Sequence, residues 1–99
     1  MLVHSVYFWL KPGYSDEERA AFRAGLESLA GIPVVKSIYV GTPSATPPRP
    51  VIDASYDFGL AVVLDDLAGH DVYQTHALHL AFLKQFGACW ERVQIYDFE

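Results

Sequence analysis

From Val3 to Leu10 the chain is rich in β-branched and aromatic residues, and the run ends at the turn signal Lys11-Pro12-Gly13. This pattern predicts a strand. Ser15-Asp16-Glu17-Glu18 has the spacing of a capping box, in which the serine hydroxyl takes an orphan amide and Glu18 reaches back. The helix it starts carries Phe22, Leu26 and Leu29 at spacings of four and three and is predicted to stop near Gly31-Ile32-Pro33. Val34 to Gly41 predicts a second strand. Thr42 to Ser55 holds prolines at 43, 47, 48 and 50, which fix φ and remove amide donors, so an extended loop is expected there. A loop this long in a small domain is commonly functional or packed on a partner. Tyr56 to Leu64 predicts a third strand. Asp65 or Asp66 can cap a helix running through Tyr73, and after a break near His76 a helical segment continues to about Gly87. Trp90 to Phe98 predicts the last strand.

The order β-α-β-β-α-β implies an α+β, ferredoxin-like fold: an antiparallel four-stranded sheet with helices on one face, formed by residues 1–99 as a single domain. Parity along the strands then raises a problem. His4, Val6, Phe8 and Leu10 share one face of the first strand, and Val3, Ser5, Tyr7 and Trp9 share the other. The last strand likewise puts Val93 and Ile95 on one side and Gln94, Tyr96 and Phe98 on the other. Helices can cover only one of these surfaces, yet both carry large apolar side chains. The expected solution is a second copy of the sheet, which makes a homodimer enclosing a barrel.

Val6 and Phe8 are the expected partners of Phe22 and Leu26, so His4 should point toward the helical layer. Tyr73, His76 and His79 approach from the second helical segment. An apolar pocket is therefore expected in each protomer, lined by Val6, Phe8, Phe22, Leu26, Leu60, His76, Phe82, Trp90 and Ile95, with His4, Tyr73 and His79 as its polar end. Imidazoles and a phenol suit proton transfer near neutrality. His79 can take a proton from a carbon acid, Tyr73 can donate to a developing enolate oxygen, and His4 can orient a substrate oxygen. The competing reading makes Tyr73 and His79 packed residues with satisfied polar tips. His76 and His79 with His4 form only a weak metal pattern, so no metal and no cofactor are expected. His70 is expected on a solvated helix face, and Arg49 is expected to pair with Asp53 or a neighbouring protomer.

Composition narrows the classes further. The formal net charge is −5, and the seven Lys and Arg residues are dispersed, so nucleic acid is not an expected partner. Each apolar run is interrupted before membrane-spanning length, and the opening residues lack a signal peptide's basic and apolar regions. The lone Cys89 has no internal partner. A cytoplasmic protein is expected. There is no G-x-S-x-G, phosphate loop or dinucleotide fingerprint.

Several pieces in order resemble the stress-responsive α/β barrel family: Val3-His4, Phe8 through Lys11-Pro12-Gly13, Tyr56-Asp57, Tyr73-Gln74-Thr75-His76-Ala77-Leu78-His79 with Phe82, and Ile95-Tyr96-Asp97-Phe98. The resemblance covers nearly the whole chain. It implies a dimeric α/β barrel of ferredoxin-like protomers. Some members of that family are stable stress proteins with an oligomeric, structural role. A polyketide cyclase in it performs a cofactor-free aldol condensation with a tyrosine and a histidine at positions matching Tyr73 and His79, and a further histidine near that of His4. Where that enzyme has a histidine at the start of the third strand, this chain has Phe58. Where it has a small glycine in the second helix, this chain has Leu83. Both departures imply a different substrate, and the second implies a shorter or differently shaped cavity. The resemblance thus points to a cofactor-independent cyclase, lyase or isomerase acting on a carbonyl compound. The alternatives are a non-catalytic stress-response or small-molecule-binding dimer, and a cofactor-free monooxygenase-like barrel for which Trp90 is the only hint.

Overall fold

The computed structural model describes residues 1–99. Its elements are β1 (Leu2–Leu10), α1 (Asp16–Glu27) continuing into a 3₁₀ turn (Ser28–Gly31), β2 (Ser37–Gly41), β3 (Phe58–Leu64), α2 (Leu67–Thr75), α3 (Ala77–Phe86) and β4 (Trp90–Phe98). The strands form one antiparallel sheet in the order β2-β3-β1-β4, the ferredoxin-like arrangement expected from the element order.

Local chemistry sets the helix starts. The Ser15 hydroxyl accepts from the Glu18 amide at 3.1 Å, and the Ser15 amide donates to Glu18 Oε1 at 3.0 Å, closing the capping box. Asp66 caps α2 by accepting from the Gly69 amide at 2.8 Å. His76 separates α2 from α3. Its backbone is extended, and its Nδ1 accepts from the Leu78 amide at 3.1 Å, so one imidazole starts a new helix where the previous one ended.

Two strand starts differ from expectation. β2 begins at Ser37 because Ile32 is fully buried and the Val35 amide turns back to the Ile32 carbonyl at 3.0 Å; Val34 and Val35 pack on the core from this turn. β3 begins at Phe58 because Asp57 serves as an anchor. Its amide donates to the Phe8 carbonyl at 2.8 Å, and its carboxylate accepts from the Leu10 amide at 2.7 Å and from Arg19 at 3.1 Å. The segment from Thr42 to Ser55 has no regular element, as its prolines dictate. Within it Asp53 turns its carboxylate to the amide and hydroxyl of Ser55 and does not pair with Arg49.

Strand pairing aligns the buried side chains in register. Val6 lies opposite Leu60 and Phe8 opposite Phe58, with α1 adding Phe22 and Leu26 over them. Rings of Phe8, Phe22, Phe82, Phe86 and Trp90 meet mostly edge-on at 5.1 to 6.5 Å, a favourable geometry beyond simple area burial. The opposite face has no helical cover. Tyr39, Tyr96 and Phe98 are 65%, 60% and 61% exposed in the single chain.

Gly25 marks the tightest helix contact. A Cβ built there lies 2.4 Å from the Phe86 ring, so α1 and α3 approach only because that side chain is missing. Gly25→Ala gains about 1 kcal/mol of helix propensity but incurs overpacking of ~1–3 kcal/mol. Urea denaturation should show a net loss of roughly 1 kcal/mol; a stabilised variant would mean that the Phe86 ring moves freely.

Candidate functional site

The break at His76 brings the site together. Tyr73 occupies the last part of α2, His79 the first turn of α3, and their rings lie 5.0 Å apart over the sheet. Beneath them His4 projects from β1 into the helical layer, its ring 5.7 Å from that of Tyr73. A cavity of about 170 Å³ opens between these helices and the β1–β4 side of the sheet.

Most of the expected lining is present. His4, Val6, Phe8, Leu60, Tyr73 and His79 border this space, as do Phe82 and Ile95. Leu83, expected to shape the cavity, joins them, as do Leu29, Gln74 and Val93, three residues that sequence alone had not assigned to the pocket. The mouth is apolar because α3 does not extend across β4: Val93 and Ile95 face the helical side yet remain 40% and 46% exposed.

Four expected lining residues lie elsewhere. Phe22 and Leu26 are sealed in the core, because α1 packs toward β2 while the cavity lies on the β4 side. Trp90 stacks on the far side of Phe82, with ring planes 17° apart, and does not reach the cavity, which removes the feature that suggested monooxygenase chemistry. His76 is spent as the α3 cap, so it neither lines the cavity nor joins His4 and His79 as a metal trio. His70 also departs from expectation. It is half-buried, and its ring packs edge-on against that of His4 at 5.2 Å.

Four polar residues meet in this setting. Asp97, opposite His4 in the β1–β4 register, places its Oδ1 2.5 Å from His4 Nδ1. With the carboxylate ionised, Nδ1 carries the proton and donates. That partner was readable in principle, since antiparallel pairing of the first and last strands puts Asp97 on the face that holds His4. His79 is different: its Nδ1 is buried without a hydrogen-bond partner. Burial, followed by the charges of His4 and His70, pushes its pKa below the usual 6.5, with partial opposition from the Gln74 backbone. His79 is therefore neutral at pH 7. Burial alone pushes the Tyr73 phenol well above its usual 10, so it keeps its proton across the physiological range.

Two larger concavities, of about 250 and 270 Å³, lie on the uncovered sheet face around Tyr7 and Tyr56. Trp9 donates there from Nε1 to Ser55 Oγ at 3.0 Å, and the Arg92 guanidinium stacks 4.0 Å above the Trp9 ring. Their lining holds no imidazole, and its one carboxylate, Asp53, is turned to Ser55. The smaller cavity beneath the helices holds the residues suited to acid–base chemistry.

The whole of this architecture has relatives. The chain matches the stress responsive A/B barrel domain, Dabb, over residues 2–99, and belongs to that family. No curated protein matches it. Among solved structures, a Dabb family protein with a ferredoxin-like fold from Mesorhizobium loti is 25% identical, with a TM-score of 0.80, covering 99% of this chain and 94% of that one. A dimeric ferredoxin-like protein from Bacteroides fragilis is 26% identical, with a TM-score of 0.75 and the same coverage, 99% and 94%. The hydroxynitrile lyase of Passiflora edulis shares the fold at 18% identity, with a TM-score of 0.81, covering 98% of this chain and 90% of the lyase. No helix here is long and apolar enough to cross a membrane.

The depressed His79 pKa has a consequence for stability. The unfolded chain binds a proton at this residue near pH 6.5, while the folded chain resists it until lower pH. Stability is thus fully present above about pH 6.5 and is lost as pH falls toward the folded pKa. Thermal melts of wild type and His79→Gln between pH 5 and 8 should differ by a component that declines below about pH 6.5. A difference flat with pH would contradict the desolvated imidazole.

Proposed function

We propose that this Dabb protein is a homodimer whose helical-side cavity binds a small apolar carbonyl compound and moves its α-proton without a cofactor, as a cyclase, lyase or isomerase does. The observation that carries this reading is the pairing of a neutral, desolvated His79 with a protonated Tyr73, rings 5.0 Å apart, on the wall of one cavity. In the step envisaged, the ligand enters between α3 and β4. His79 removes a proton from the carbon beside the carbonyl, and the electron pair moves onto the carbonyl oxygen. The Tyr73 hydroxyl donates to that oxygen as charge develops, and His4, fixed by Asp97, holds a second oxygen. The enolate then attacks a carbonyl carbon or is reprotonated by His79 at another carbon. Base and donor are both side chains, so the chemistry asks for no added group. A hydroxynitrile lyase shares this fold and leaves the substrate open.

Size limits the ligand. A cavity of about 150 Å³ accommodates benzene, so the 170 Å³ here suits a single ring or short chain. Leu83 on the wall supports the shorter cavity expected from its side chain. The same volume favours a second reading, non-catalytic binding, because catalytic and drug-sized sites more often span roughly 300–1,000 Å³. A reducing, cytoplasmic setting suits a chain whose single cysteine is free.

Proton chemistry is tested by deuterium incorporation at the α-carbon of single-ring ketones, beginning with acetophenone and phenylacetone, followed by NMR in D₂O. Wild type should exceed an equimolar imidazole control. His79→Ala should lose about 10²-fold or more, and Tyr73→Phe about 10- to 10²-fold. Exchange no faster than imidazole across the panel overturns the enzymatic reading, and thermal shifts without exchange favour the binding protein.

Pairing rests on the aromatic outer face and on relatives described as dimeric. Sedimentation velocity at micromolar concentration should show a two-chain particle, shifted toward one chain by Tyr96→Glu. A folded single-chain wild type contradicts this part of the proposal.

A further inference from the structure

Outside the Tyr73–His79 pair, three metal-ligating side chains from three elements converge: His4 of β1, His70 of α2 and Asp97 of β4. Each offers one ligand atom, and these atoms all lie within 4.8 Å of one another. An ion pair between His4 and Asp97 accounts for only two of them. The second imidazole, edge-on to His4 at 5.2 Å, adds a donor that the pair does not use. The only carboxylate contact of His70 is a long 3.5 Å approach to Asp71, and its Nε2 rests 3.4 Å from the Gln74 side-chain amide.

We propose that His4, His70 and Asp97 form a binding site for a first-row divalent cation of the Zn²⁺ or Co²⁺ type. The donor set selects that class. Imidazole nitrogen with one carboxylate suits borderline ions, whereas Mg²⁺ and Ca²⁺ demand mainly oxygen. Geometry is within reach of it. Bonds of about 2.0–2.2 Å place neighbouring ligand atoms roughly 3.3 Å apart in a tetrahedral site. To reach that value the widest separations, at most 4.8 Å, would have to close and the 2.5 Å His4–Asp97 contact to open. His4 is held by strand pairing on both sides, so adjustment falls to His70 and the partly exposed Asp97. Three protein ligands leave a position free, and because His4 borders the cavity, the ion would sit at its polar end. The site shares His4 and Asp97 with the proton-transfer reading but uses neither Tyr73 nor His79, so a variant of His79 tells the two apart.

The test is Co²⁺ titration of tag-free, chelator-treated protein at pH 7.5, followed by visible absorption, with Zn²⁺ competition by calorimetry. Wild type should bind one ion per chain, with the intense visible bands of a low-coordinate Co²⁺ centre. His70→Asn and Asp97→Asn should each weaken binding at least about tenfold, the lower bound for losing a group that holds a metal. His76→Asn, which removes a histidine outside the cluster, should bind like wild type. His79→Ala should retain cobalt affinity while losing ketone exchange. Affinity should also drop as pH falls through the imidazole range, since protons compete for the donors. Circular dichroism confirms that each variant is folded; Asp97→Asn, isosteric and at the surface, serves should His70→Asn unfold. No binding by wild type at 100-fold excess metal overturns the site, as does equal binding by folded His70→Asn and Asp97→Asn proteins.

Discussion

Central placement of β1 is the constraint on which the rest of the molecule depends. Hydrogen-bonded to β3 on one side and β4 on the other, it cannot rotate or slip without moving every side chain to the wrong face. Its parity assigns Val6, Phe8 and Leu10 to the helical layer and Tyr7 and Trp9 to the outer face. His4 is carried inward with the first set. A polar ring in that layer is tolerable because Asp97 stands opposite it in register and satisfies its Nδ1. One strand thereby sets the core, one polar end of the cavity and the surface left for a second chain.

The helical layer completes the site through an interruption. A continuous helix from Leu67 to Phe86 would distribute Tyr73 and His79 by helical periodicity alone. His76 instead ends one helix and caps the next, so the two residues approach from separate elements. The resulting cluster is held unequally. His4 has a carboxylate, whereas the buried Nδ1 of His79 has none, and burial, with the charges of His4 and His70, lowers the affinity of that ring for a proton. A hydrogen-bond acceptor at that Nδ1 would stabilise the fold and raise the proton affinity of the ring.

Exposure of apolar side chains occurs on two sides for different reasons. The outer face shows Tyr39, Tyr96 and Phe98 because no element of the same chain crosses it. Val93 and Ile95 are open because α3 stops short of the β4 edge, which leaves an oily threshold to the cavity. The first exposure is broad and aromatic; the second is narrow and leads inward.

Periodicity was enough to determine the element order, the capping box at Ser15, the break near His76, the parity of β1 and hence the ferredoxin-like class. These are local properties, fixed by side-chain spacing and by the conformational limits of proline and of capping residues. The strand starts at Ser37 and Phe58 were not, because Ile32 and Asp57 take their conformations from distant partners. The site was half readable. That Tyr73 and His79 meet follows from the motif around the break, but the exclusion of Phe22, Leu26 and Trp90 from the cavity does not. Periodicity says which face of α1 is apolar and is silent on which strands lie under it. The neighbour His70, and the loss of a partner at His79 Nδ1, arise only when elements remote in sequence pack together. Contacts of that kind depend on the docking of helices on the sheet, a three-dimensional outcome that no one segment encodes.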